Sequence, residues 1–266
     1  MTTRTGILKN SPLTMVFASV RFTPWPVLGK RIDEIQNDLR DVLPLMHRIE
    51  VEAPEGMPTA MFSSEAWMLI SLDKSYGVQI TKDQLLIFCP KYHHYDDFEA
   101  KIDRVLSTLL THMKFMNVLN MGVRFIDHVK PKQGEKSSHY ISEKFLAPSI
   151  ENYNTLGGQF FNEYSCDNHR IRVNVLNMPG ALPVPQDAIP VLAIFNGIEA
   201  PLKLEQLKPE ELLVDMDAVT MFPSAEKLAK ETIIFELRKL HTVANNFFRH
   251  TEMFSDHAFK VWKGES

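Results

Sequence analysis

The chain has 266 residues, of which 44% are hydrophobic and 23% charged, with a formal net charge of −4. That is enough apolar material for a substantial core, as one continuous domain or two coupled halves. The acidic balance disfavours nucleic acid as a partner, because such binders carry a basic excess. The two cysteines, Cys89 and Cys166, are too few for a secreted disulfide scaffold.

The opening residues MTTRTGILKNSP lack the apolar core of a signal peptide. No window reaches the roughly 18 uninterrupted apolar residues of a membrane helix. The expectation is a cytoplasmic protein with no membrane contact.

In chain order, residues 13–22 (LTMVFASVRF) predict a strand, stopped by Thr23-Pro24-Trp25-Pro26. Residues 29–46 predict a helix with Ile32, Ile35, Leu39, Val42 and Leu43 on one face. Residues 49–61 show no clear pattern. Residues 67–72, 76–81 and 85–89 read as an antiparallel meander with polar turns.

Pro90 ends the meander. Asp96 and Glu99 then form a capping-box-like pair, and Phe98, Ile102, Val105, Leu106, Leu109, Leu110 and Met113 recur at helical spacing. Residues 118–129 alternate as a strand. Residues 130–138 are a polar loop. Residues 160–165 and 170–176 predict a hairpin turning at Asp167-Asn168.

Prolines 179, 183, 185 and 190 mark an irregular connection, with a short strand expected at 191–195. A further strand is expected over 212–222. Pro223 should stop it, and Ser224 should cap a long helix to about His250. Residues 254–262 are expected to dock as a last strand.

A strand–proline–helix order occurs three times, and Val20-Arg21-Phe22 matches Val123-Arg124-Phe125. This suggests an internal duplication. The predicted fold is α+β, with antiparallel sheets in two similar halves and long helices packed on one face. The halves are 1–130 and 153–266, joined by a loop over 131–152.

Several short motifs are shared, in order and spacing, with one group of proteins. They are Asn10-Ser11-Pro12 before a strand ending Val20-Arg21-Phe22, Trp67 in the meander, and Tyr92 and Phe98 at the central helix. Gly122-Val123-Arg124-Phe125-Ile126, Asp215-Met216-Asp217, Leu240-His241 and Phe247 complete the set. Nearly end to end, the chain resembles a sporadically distributed bacterial family without an assigned activity. It departs from that family at Asn120 and Asp127, where Arg and Asn are usual. The resemblance implies no reaction. The family's patchy distribution resembles that of genes on mobile or defence-related islands.

No phosphate-binding glycine loop, G-x-S-x-G elbow, H-E-x-x-H or paired C-x-x-C occurs. Asp215 and Asp217 are two apart in a strand, so their carboxylates share a face and could hold a divalent metal or divide acid and base roles. A plainer account pairs them with Arg21 and Arg124, which sit in otherwise apolar strands. The adjacent His93 and His94 read as a surface loop before a helix. His241 lies at the edge of an apolar helical stripe, as a packed contact or a catalytic base. Arg21, Arg124, Tyr92 and Trp67 are the binding candidates.

The leading expectation is a non-enzymatic binding protein, with no cofactor, that holds a protein partner or small ligand against a sheet–helix groove. A homodimer contact through Phe247, Phe248, Phe254 and Phe259 stays open. One alternative is a metal-dependent hydrolase or nuclease-like enzyme built on Asp215 and Asp217. Another is a chaperone- or antitoxin-like accessory, which rests on family distribution alone.

Overall fold

The structure is a computed structural model that describes residues 4–50, 65–148, 150–197 and 204–265. Its strands are β1 (Leu13–Phe22), β2 (Leu45–Glu50), β3 (Glu65–Ile70), β4 (Gly77–Thr81), β5 (Gln84–Cys89), β6 (Met116–Val129), β7 (Gly158–Cys166), β8 (His169–Asn177) and β9 (Leu212–Leu228). They form one sheet in the order β2-β3-β4-β5-β1-β6-β9-β8-β7. Every neighbouring pair is antiparallel. The helices are α1 (Ile32–Leu39), α2 (Tyr95–Met113), α3 (Ile189–Asn196), α4 (Lys230–Phe248) and α5 (Asp256–Lys263). The protein is thus α+β.

β1 is nearly continuous in apolar residues because both of its faces are covered. Val16, Ala18, Val20 and Phe22 enter a core shared with α1, α2, α4 and α5. Met15 and Phe17 enter a second core, on the reverse face, with Val191, Leu192 and Phe195 of α3. The two 19-residue helices, α2 and α4, share one face, and the short α3 closes the other. Its Phe195 meets Phe88 edge-on at 5.1 Å.

The predicted meander, the hairpin and β6 all form. β1 and β6 lie side by side at the centre, with Ser19 opposite Gly122. Each is flanked by the last strand of a meander, β5 or β9. A 19-residue helix follows each of those strands, α2 or α4. α2 buries Phe98, Ile102, Val105, Leu106 and Leu109. α4 buries Ile233, Leu237, Leu240, Ala244 and Phe248.

Local expectations are corrected at five places. The helix expected over 29–46 is only Ile32–Leu39, and β2 starts at Leu45. Residues 191–195 form a helix rather than a strand, with Pro190 in its first turn, where a missing N–H costs nothing. α2 begins at Tyr95 with His94 at its N-cap, so Asp96 is a first-turn acid rather than the cap.

β9 runs through Pro223 to Leu228, so Ser224 caps nothing and α4 starts at Lys230. The pairing with β6 jumps there from Asn120↔Met221 to Val118↔Glu226. Pro223 falls in that irregularity, where the ladder needs no N–H from it. Finally, the C-terminal stretch is helix α5, capped by Ser255 and ended by Gly264 in the left-handed region. Phe254 and Phe259 are buried around Trp262 in the helix-face core, together with Phe248.

Between β6 and β7 the described residues include two short 3-10 turns, Ser137–His139 and Glu143–Phe145. The connection is anchored, since Tyr140, Ile141 and Phe145 are buried in the helix-face core. No helix among the described residues is long and apolar enough to cross a membrane.

Candidate functional site

Beyond the irregularity between Val118 and Asn120, the odd positions of β6 face the helices. Phe125, Asp127 and Val129 thus point toward α2 and α4, and Asp127 is the one carboxylate in that row. Beside it, Met216 of β9 faces the same way. The turn 90–94 brings Tyr92 over this surface, α2 opens with Tyr95, and the last turns of α4 add His241, Ala244 and Phe248. These side chains do not close on each other. They leave a cavity of about 580 Å³ between sheet and helices.

Residues 6–13 form the remaining wall. This N-terminal strap is tied down at both ends. Arg249 Nε donates to Asn245 Oδ1 at 2.9 Å, and its Nη groups donate to the carbonyls of Arg4 and Gly6. Arg4 is buried, pairs with Asp256 at 2.9 Å and lies over the Phe259 ring. Asn10 N–H donates to the Trp262 carbonyl at 2.7 Å.

Inside the cavity, the Tyr92 hydroxyl lies 3.3 Å from His241 Nε2. Tyr95 stacks on the same imidazole with ring centroids 4.0 Å apart, and Phe125 approaches it at 5.6 Å. Burial pushes the His241 pKa down to about 4, so the imidazole is neutral near pH 7. Burial also pushes both tyrosine hydroxyls well above their ordinary range.

Asp127 is 2% exposed. Burial raises its pKa to about 8, and the charge of Asp215 behind the sheet adds to the rise. Among the described residues, neither Asp127 Oδ2 nor the Tyr95 hydroxyl has a hydrogen-bond partner. No family model matches the chain, and no curated protein matches it in sequence.

The aspartate pair stands on the reverse face. Arg124 grips Asp215 with two parallel hydrogen bonds, Nε to Oδ1 and Nη2 to Oδ2, each 2.7 Å. It also donates to Asp187 at 2.6 and 3.1 Å. This lowers the Asp187 pKa, chiefly through the hydrogen bond from Arg124. Asp217 lies beside Arg124 and Arg172 across the ladder. Burial raises its pKa to about 6, against the pull of Arg124.

A third carboxylate, Asp187, does approach the pair, but a guanidinium fills the space that a cation would need. No group of three or more metal-ligating side chains occurs among the described residues.

The sequence candidates therefore divide. Tyr92 and His241 come together in the cavity. Arg124 joins Asp215 and Asp187 behind it. Arg21 does not join Asp215 or Asp217; it is half-exposed and 4.0 Å from Asp83. Trp67 is 5% exposed in the helix-face core, against Gly29, and packs rather than binds. Sequence reasoning misses the cavity role of Asp127 and Tyr95. The available signal is a lone carboxylate in an apolar row of a central strand, which folding must either pair or leave for something else.

Proposed function

We propose that the protein is a binding protein that holds a small organic ligand in the cavity between β6, the start of α2 and the end of α4. The observation that carries this is a built cleft between sheet and helices. Its volume of about 580 Å³ is typical of ligand pockets, and its aromatic walls converge on a few polar groups.

Against a hydrolase built on Asp215 and Asp217 stands Arg124, whose guanidinium engages the Asp215 carboxylate on both oxygens. Two free thiols, Cys89 and Cys166, support a reducing, cytoplasmic setting. The mirrored strand order about β1 and β6 supports the reading of two similar halves from an internal duplication.

The test is a set of small aromatic fragments of mixed charge, screened by nuclear magnetic resonance with residue assignments. Fragments that perturb Tyr92, Tyr95 and His241 together support the pocket. A set in which no fragment perturbs these residues overturns it.

A further inference from the structure

The cavity's unmet demand identifies the ligand's polar end, given the pocket proposed above. Asp127 is 2% exposed, it lines the cavity, and its Oδ2 has no hydrogen-bond partner among the described residues. A buried polar atom left unpaired is costly. It is stabilised most by a donor that carries positive charge. Tyr92, Tyr95, Phe125 and Phe248 line the same cavity, and aromatic rings are better neighbours for a cation than for an anion.

We infer that this cavity takes a primary organic ammonium on an apolar body, anchored by the Asp127 carboxylate. The charges around the site orient such a ligand. Asp215, behind the sheet, is the charge that bears on Asp127. Arg249 bears on His241 instead, and its donors are engaged with the strap carbonyls and Asn245. Lys9 lies on the same strap.

Asp215 is itself paired with Arg124, so the asymmetry comes from the positive strap end, which turns an ammonium away from the strap and toward Asp127. His93 and His94 are exposed at the rim, and Asp96 and Asp97 set negative charge against the positive end of α2. Neutral His241 and the un-ionised tyrosines add no competing charge.

The proton balance follows. In the free protein the Asp127 carboxyl is protonated below about pH 8. An aliphatic ammonium keeps its proton to about pH 10. Binding therefore forms a carboxylate–ammonium pair and releases the carboxyl proton to solvent. Affinity for the amine rises with pH through the Asp127 titration.

The experiment is calorimetric titration with phenethylamine, phenethyl alcohol and phenylacetate. It uses wild type and Asp127→Asn, at about pH 6.5 and about pH 8.5, in two buffers of different ionisation heat. Phenethylamine is expected to bind at least about tenfold more tightly than the other two. It should bind more tightly at the higher pH and release about one proton at the lower. Asp127→Asn should weaken the amine at least about tenfold and leave the alcohol unchanged.

Proton release is read on wild type alone, so the outcome does not depend on how the variant folds. Equal or tighter binding of the alcohol or phenylacetate overturns the ammonium assignment and leaves the pocket standing. Retention of the amine by Asp127→Asn does the same. Failure of all three compounds also overturns the assignment, and the pocket then rests on the fragment screen.

Discussion

The Tyr92 hydroxyl and His241 Nε2 meet at 3.3 Å, joining the turn before α2 to the end of α4. Tyr95 stacks on the same imidazole. This enclosure has a consequence for acid stability. The folded pKa of His241 is about 4, below its ordinary 6.5. The neutral imidazole's stabilisation is therefore complete above about pH 6.5 and is lost as pH falls toward 4. His241→Phe should remove about 2 to 3 kcal/mol of that acid sensitivity. Urea unfolding at pH 7 and pH 4.5 measures it, and identical acid slopes for variant and wild type would show that the ring titrates normally.

Asp127 has the opposite sign. Its folded pKa of about 8 lies above the ordinary 3.8, so the folded protein binds the extra proton. Without ligand, the group costs stability progressively as pH rises from about 4 to about 8. Asp127→Asn should raise the thermal midpoint relative to wild type at pH 8.5, and the gap should close toward pH 4. Melting curves at both values decide it; a constant gap would mean that the carboxyl is not held protonated.

Arg124 neutralises a carboxylate, Asp215, that the fold has taken out of water. Its side chain is 21% exposed and that of Asp215 10%. Arg124→Met leaves Asp215 buried without its cation and should cost about 3 to 5 kcal/mol. Adding Asp215→Leu removes the orphaned charge and should recover most of the loss. Denaturant midpoints for the two singles and the double give the coupling, and additive effects would mean that the pair is not coupled.

Gly77 sits against the ring of Phe88, so a Cβ there would lie 2.4 Å from Cζ. The ring cannot yield easily, because it is fully buried against Phe17 and Phe195. Gly77→Ala should destabilise by about 1 to 3 kcal/mol. Phe88→Leu in the Gly77→Ala background should recover part of it. Chemical denaturation checks both, and an unchanged midpoint in Gly77→Ala would show that the reverse-face core has room.

Much of the sheet is legible in the sequence, because alternation in β6 and helical spacing in α2 are local patterns. The end of β9 is not. Pro223 reads as a stop, and whether a strand survives it depends on a register irregularity opposite β6, about a hundred positions earlier in the chain. Residues 191–195 are a short apolar run whose period cannot separate strand from helix. α5 carries its own caps, Ser255 and Gly264, and these outrank the apolar pattern that suggests a strand.

At the cavity, Tyr92 and His241 are each visible as candidates, but their meeting is a tertiary fact. Asp127 is hidden for a different reason. What distinguishes it is the lack of a partner, and a sequence does not record that.

The central position of β6 also orders events on the ribosome. β1 to β5 and α2 can pair and pack once residues up to the end of α2 have emerged, since all their partners lie in that part of the chain. β6 can then add to β1, but its other edge pairs only with β9. Until residues 212–228 have been synthesised, the 14-residue β6 keeps one unpaired edge in the nascent chain. The newborn protein therefore passes through a stage that invites strand-to-strand association between neighbouring chains, and slowing translation between β6 and β9 would prolong it.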